Sequence, residues 1–230
     1  MGNLKVFGHK NPDLDSVAAT VGLAHLLEIR DGANCEMVVL GEFNKEAKFV
    51  FNKFNLKLKL TLLSKLEDGE NVALVDHNEF SQSIGNIENA KIKMVVDHHK
   101  IDNFKTTEPL EYISKPLGST CTILYGLLKE VDGLDNDEVN VLLLSAIISD
   151  TLLFKSPTTT KVDIKVANEL AAKLHIDVDT YGLDLLKAGA DLSEVLSDKL
   201  IQEDSKEFDC NRIKIWNFSN KCNRFKQCIR

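Results

Sequence analysis

LKVFGHKNPDLDSVAATVGLAHLLEIRDG, residues 4–32, sets the fold class of this chain. LKVFG (4–8) is a short, mainly apolar run, and residues 16–32 carry apolar side chains at helical spacing and close on Gly32. Between them lies a polar turn holding His9, Lys10, Asn11, Asp13 and Asp15. A strand, a ligand-rich turn and a helix in that order make the first half of a βαβ unit.

The pattern recurs along the chain. Runs rich in β-branched residues stand at CEMVVLG (35–41), NVALVDH (71–77) and IKMVVDHH (92–99), with helical spacing in KEAKFVFNKFN (45–55). The alternation predicts an α/β fold, a parallel sheet with helices on both faces. Ser119 is a plausible N-cap for a helix through CTILYGLLKEV, and further helices are expected over 136–151, 160–175, 179–189 and 193–208. We expect a metal-binding catalytic domain over residues 1–188, a linker at 189–196, and the start of a second α/β domain over 197–230.

Composition narrows the class. A chain of 230 residues, 43% of them hydrophobic, can bury a sizeable core. The formal net charge of -7 argues against nucleic acid as a general partner, although a metal or a local basic cluster can still bind phosphate. No apolar run is long enough to cross a bilayer and no leader pattern opens the chain, so no membrane partner and a cytoplasmic location are expected. The five cysteines are odd in number and form no CxxC pair, which points away from a disulfide framework and a cysteine zinc site.

In open parallel sheets, ligands bind outside the carboxyl ends of the strands. Three expected strand ends carry His9, Asp13 and Asp15; Asp76 and His77; and Asp97, His98 and His99. The apolar helix 136–151 adds Asp150, between Ser149 and Thr151. Taken singly, Asn11 and Asp13 read as turn formers or caps, and His25 and His175 as packing or capping residues. Convergence on one rim makes that explanation weak for the set as a whole. A His/Asp cluster without cysteine suits Mn²⁺, Co²⁺, Zn²⁺ or Mg²⁺. Two ions sharing one carboxylate would relieve the crowding of like charges, bind a phosphate and activate a water. The expected reaction is hydrolysis of a phosphoric anhydride or ester.

With GHKNPDLDS, VDH, VDHH and SDT in order, the chain resembles the manganese-dependent family II inorganic pyrophosphatases of the DHH phosphoesterase superfamily, through about Phe208. The resemblance implies two Mn²⁺ ions, with Co²⁺ or Mg²⁺ as substitutes. His9 and Asp13 would bind one, Asp15, His98 and Asp150 the other, and Asp76 would bridge them. The nucleophile would be a water or hydroxide between the ions. His99 would contact the substrate phosphate and act as the acid near the leaving group, with Asp97 and His77 orienting ligands; His99 and Asp97 are the candidate catalytic pair. The resemblance further implies inorganic pyrophosphate as substrate, a second domain that closes over the site, and a homodimer through an edge strand of the first domain. Lys206, in DSKEF, matches a substrate-binding lysine of that second domain. Rival readings are an exopolyphosphatase, a phosphodiesterase of oligonucleotides or cyclic dinucleotides, and a non-catalytic metal-binding or regulatory protein.

The ending RIKIWNFSNKCNRFKQCIR (212–230) shows neither strand alternation nor a helical face, and it carries the single Trp. The expectation is that a one-nucleotide insertion near Ile215 shifts the reading frame and removes most of the second domain, with severely reduced activity. Reading the gene across codon 216 tests it.

Overall fold

The computed structural model describes residues 3–190, 205–210 and 213–218. The chain divides into two compact units, Met1–Ala190 and Asp191–Arg230.

In the first unit the chain runs through β1 (Leu4–Phe7), α1 (Leu14–Asp31), β2 (Cys35–Val39), α2 (Lys45–Lys53), β3 (Thr61–Leu62), β4 (Asn71–Val75), β5 (Lys91–Asp97) and β6 (Glu111–Ser114). Four helices follow: α3 (Thr120–Glu130), α4 (Asp137–Asp150), α5 (Lys161–Leu174) and α6 (Val178–Ala190). The six strands form one sheet in the order β3-β2-β1-β4-β5-β6, every pair parallel. The chain starts at the centre, builds outward through β2 and β3, then returns past β1 to lay down β4. Neighbouring β1 and β4 therefore lead away in opposite directions, opening a crevice at their carboxyl ends.

Alternation along the strands divides the core into two layers. Val6, Ala73, Val75, Met94 and Val96 face a cluster built with the α-helices, whereas Phe7, Val38, Val72, Leu74, Ile92 and Val95 face the opposite side. Burial on both faces is why these strands read as near-continuous apolar runs. Ile92 and Val95 share a face although three positions apart, because the β4–β5 register slips between Val72 and Ala73 and Lys93 is the extra residue. Among the described residues, helical cover on the second face is limited to two short 3-10 helices, Phe80–Gln82 and Ile87–Asn89, and the α-helices contributing to the core lie in the first layer.

Local chemistry explains the helix limits. Asp13 caps α1 by accepting from the Ser16 N–H, and Gly32 ends it in the left-handed region at φ 59°. His175 ends α5 in the same way at φ 56°, which gives it the capping role expected of it. Central helix α4 is apolar on all sides and buried from Val139 to Ile148. Directly after it, Leu152, Leu153 and Phe154 all take positive φ (50°, 52° and 64°), a left-handed turn of bulky residues. Such a turn costs about 1–2 kcal/mol per residue.

The second unit shows β7 (Ser205–Cys210) paired antiparallel with β8 (Ile213–Phe218), with Lys206 opposite Asn217. Two sequence expectations are corrected here. The end of the helix expected over 193–208 is a strand, because the backbone of residues 205–210 pairs with Ile213–Phe218 across a two-residue connection of hairpin length; residues 193–204 lie outside the described residues. IKIWNF is itself a strand: Ile, Trp and Phe favour extended backbone, and its apolar residues fall on both parities, so a search for alternation passes over it. Two parallel strands, β3 and β6, were also not expected; β3 has two residues and β6 lies between Pro109 and Pro116. Residues 191–196 of the expected linker lie outside the described residues.

Candidate metal centre

The β1–α1 turn delivers the first three side chains. His9 Nδ1 donates to the Lys10 carbonyl at 2.7 Å, which turns Nε2 toward Asp13 Oδ1 at 3.6 Å and Asp76 Oδ2 at 3.5 Å. Asp13 is a helix cap and also a neighbour of His9, so capping α1 does not take it out of the cluster. Asp15, in the first turn of α1, is fully buried.

Asp76 follows β4 with positive φ (58°), a conformation that side-chain-bearing residues adopt at a cost and that clusters at functional sites. Its Oδ1 lies 3.5 Å from His98 Nε2, whose Nδ1 donates to the Leu117 carbonyl at 2.9 Å. Asp150, at the end of α4, stands 4.0 Å from His98 Nε2. The donor atoms form three overlapping groups, each within 4.8 Å: His9, Asp13 and Asp76; Asp15, His98 and Asp150; and Asp76, His98 and His99. Asp76 and His98 each belong to two groups. Nitrogen and carboxylate donors without sulfur fit a divalent ion such as Mn²⁺, and both histidines of the paired groups have Nδ1 fixed by a carbonyl, as metal-binding imidazoles usually do.

Asp97 belongs to none of these groups. Its Oδ1 accepts from the His99 backbone N–H at 3.1 Å and meets His99 Nδ1 at 2.9 Å, while Oδ2 accepts from Asn78 Nδ2 at 2.6 Å. Buried Asn78 also donates to the Lys100 carbonyl and accepts from the Asp102 N–H, so it ties both sides of the His98–His99 turn together. His77 donates Nδ1 to the Val75 carbonyl and its buried Nε2 has no partner. Lys206 lies on β7 in the second unit.

Charge is poorly balanced in the cluster. Burial, and then the nearby carboxylates with Asp15 foremost, pushes Asp76 and Asp150 well above the usual carboxylate range. Burial opposes charge on His9, yet its hydrogen bonds to Asp13 and Asp76 prevail and hold it up to about 11. The hydrogen bond that His99 donates to Asp97 raises its pKa against an opposing burial effect. For Asp97, burial is outweighed by donors from His99 and Asn78, and its carboxyl is held low. The protein alone thus stores protons among groups whose unprotonated forms suit a cation.

Sequence reasoning overlooked three residues here. Ser119 Oγ donates to Asp15 Oδ1 at 2.7 Å, Thr120 N donates to Asp15 Oδ2 at 2.7 Å, and Thr120 Oγ1 donates to Asp76 Oδ1 at 2.8 Å. Asn78 is the third. The available signal was position: Gly118 and Ser119 end the loop leaving β6 and Thr120 opens α3, while Asn78 follows β4 by three residues, both at the carboxyl rim.

A 3-2-1-4-5-6 parallel sheet with His and Asp gathered at the β1, β4 and β5 ends defines a DHH-type domain, and the DHH family, N-terminal domain, matches residues 3–151. An Oceanobacillus iheyensis protein named as a probable manganese-dependent inorganic pyrophosphatase is 48% identical over 210 residues, covering 91% of this chain and 68% of that protein. A solved Methanococcus jannaschii structure, of a protein assigned to the family II inorganic pyrophosphatases, superposes with a TM-score of 0.76 at 38% identity, covering 93% of this chain and 69% of the other. The chain belongs to the family of manganese-dependent inorganic pyrophosphatases. An exopolyphosphatase-related protein of Bacteroides fragilis shares the fold, with a TM-score of 0.60 at 18% identity over 90% of this chain and 62% of that one.

Proposed function

We propose that this chain hydrolyses inorganic pyrophosphate to two phosphates at a Mn²⁺ centre of two ions. The observation that carries the reading is the sharing of Asp76 between the His9–Asp13 group and the His98–His99 group, with Asp15 and Asp150 beyond His98. His9, Asp13 and Asp76 would hold one ion, and Asp15, Asp76, His98 and Asp150 the other. When bound, the ions offset the charge of pyrophosphate and lower the pKa of an attacking water. The water oxygen bonds to one phosphorus as the bridging P–O bond breaks. With Nδ1 engaged by Asp97, His99 offers Nε2–H to the departing phosphate, and its upward-shifted pKa favours carrying that proton. Asp97 accepts from Nδ1–H and stabilises the imidazolium that carries the Nε2 proton, and Asn78 holds Asp97.

Lys206 enters this reading as a cation for the substrate, supported by the DSKEF match alone. A homodimer through an edge strand, β3 or β6, a cytoplasmic location and no nucleic-acid partner complete it, supported by the resemblance and by the net charge of -7. Among the described residues no helix is long and apolar enough to cross a membrane.

The test is phosphate release by the full chain from pyrophosphate, polyphosphate and a dinucleotide, each with and without Mn²⁺. Mn²⁺-dependent release from pyrophosphate above the other two is expected. Preference for polyphosphate or the dinucleotide would replace the proposed substrate, and release indifferent to Mn²⁺ and chelator would refute the metal centre.

A further inference from the structure

Residues 117–121, which run from the loop after β6 into the first turn of α3, touch candidate ligands from three separate elements. The Leu117 carbonyl accepts from His98 Nδ1 at 2.9 Å. Asp15 receives three donors from the N-cap and first turn of α3: Ser119 Oγ and Cys121 N on Oδ1, at 2.7 and 3.1 Å, and Thr120 N on Oδ2 at 2.7 Å. Thr120 Oγ1 then donates to Asp76 Oδ1 at 2.8 Å. Fully buried Thr120 is the residue that reaches two carboxylates, one through its backbone and one through its side chain.

The loop is itself anchored from behind. Asp163, fully buried in the first turn of α5, accepts from Gly118 N at 3.0 Å and from Thr122 Oγ1 at 2.6 Å, while also closing the capping box with Thr160. A Cβ on Gly118 would fall 2.8 Å from Asp163 Oδ2 and 3.0 Å from Thr151 Cγ2, so the approach requires glycine. Helices α3 and α5 thereby hold the loop as one block against the sheet rim.

We propose that Thr120 is a positioning residue for the metal centre, its hydroxyl setting the orientation of the shared carboxylate Asp76 while its N–H sets Asp15. The inference rests on the metal-centre reading above and adds a residue outside its ligand set. A carboxylate serving two ions must present one oxygen to each side. Asp76 Oδ2 faces His9, and Oδ1 faces His98. Thr120 bonds Oδ1, which fixes rotation about the Asp76 side chain and keeps Oδ2 turned toward His9. Loss of that hydroxyl frees the rotation without removing any ligand. Outer partners of this kind typically change metal affinity about 10–100-fold.

Thr120→Val keeps the shape, the β-branch and the backbone N–H, and deletes only the hydroxyl; Thr120→Ser restores it. The full chain is stripped of metal and titrated with Mn²⁺, reading the free-ion paramagnetic resonance signal, and its metal-free melting is recorded. For T120V we expect Mn²⁺ affinity weakened about 10–100-fold, with T120S returning to within about threefold of the parent and metal-free melting of both close to it. T120V binding Mn²⁺ as tightly as the parent overturns the proposal, as does equal weakening in T120S. If T120V does not fold, T120A and T120S carry the same comparison, since they differ by one oxygen. Failure of the parent chain to bind Mn²⁺ at all would instead sink the underlying metal-centre reading.

Discussion

Asp150→Asn should make the metal-free protein more stable and the metal-loaded protein less so. Asp150 and Asp15 place carboxylate oxygens within 4.8 Å of each other in a buried cluster. Two unit charges at that separation repel by about 3.5 kcal/mol at an effective permittivity of about 20. Burial first, and this repulsion after it, push the Asp150 pKa well above the usual carboxylate range, so the group escapes part of the repulsion by holding a proton, but holding it costs stability relative to an unfolded chain in which the group ionises freely. Asparagine removes both penalties at nearly the same volume. About half of the repulsion, about 2 kcal/mol, is expected as a gain in stability, raising the melting temperature about 4–8 °C in chelator for a domain of this size. In Mn²⁺ the order reverses. A ligand at 100 times its Kd stabilises by about 2.7 kcal/mol, and losing one charged donor should remove much of that gain. Calorimetric melting of both proteins, in chelator and in Mn²⁺, reads all four values. Asp150→Asn melting at or below the parent in chelator, together with an undiminished Mn²⁺ shift, would refute the reasoning.

Other outcomes follow from the same geometry. Asp76 and Asp150 have folded pKa values above the unfolded value of about 3.9, and His9 is raised from about 6.5 to about 11. In both cases the folded state binds the extra proton, so this stability is fully present below the unfolded pKa and is lost as pH rises through the folded one. Melting in chelator should therefore fall between about pH 6 and pH 9, and Mn²⁺ binding should release protons, seen as calorimetric heats that depend on buffer ionisation enthalpy; heats identical in all buffers would count against it. His99→Ala should lower kcat about 10²–10⁴-fold while Mn²⁺ affinity changes little, and a large affinity loss would make His99 a ligand rather than the acid. Leu152→Gly, at φ 50° and partly exposed, should relieve about 1 kcal/mol of left-handed strain, visible as a rise in melting temperature; a fall would mean that packing outweighs it.

The fold and the gathering of the candidate ligands on one rim were legible for the same reason. Buried parallel strands write themselves as apolar runs, and a ligand at a strand end interrupts such a run where only a turn is otherwise needed, as His9, Asp76 and His98 do. Asp150 stood out because a helix apolar on all sides has no packing reason to end in a carboxylate. Residues that support the ligands were not legible. Ser119 looks like a helix cap because it is one, accepting from Cys121 N, and the same hydroxyl donates to Asp15 across 104 positions of sequence. Nothing in the spacing of Thr120 or Asn78 reports a bond to Asp76 or Asp97, since those pairs meet only once the sheet order is known. Strand β7 was misread for a related reason: the sequence of its partner β8 has apolar residues at both odd and even positions and so lacks the alternation that would have exposed the hairpin.

The supporting contacts divide the buried carboxylates into two kinds. Asp15 receives donors on both oxygens and Asp97 likewise, so each is held whether or not an ion is near. Asp76 has one short side-chain donor, from Thr120, with His9 Nε2 and His98 Nε2 each at 3.5 Å, and Asp150 stands 4.0 Å from His98; burial pushes both carboxyls well above the ordinary range. A site in which every carboxylate were satisfied by the protein would be more stable and would gain little from a cation. One in which none were satisfied would not hold its geometry. Fixing Asp15 and Asp97 while leaving Asp76 and Asp150 short of donors makes binding of a divalent ion the step that completes the fold's own hydrogen-bonding and charge balance, so affinity and local order should rise together.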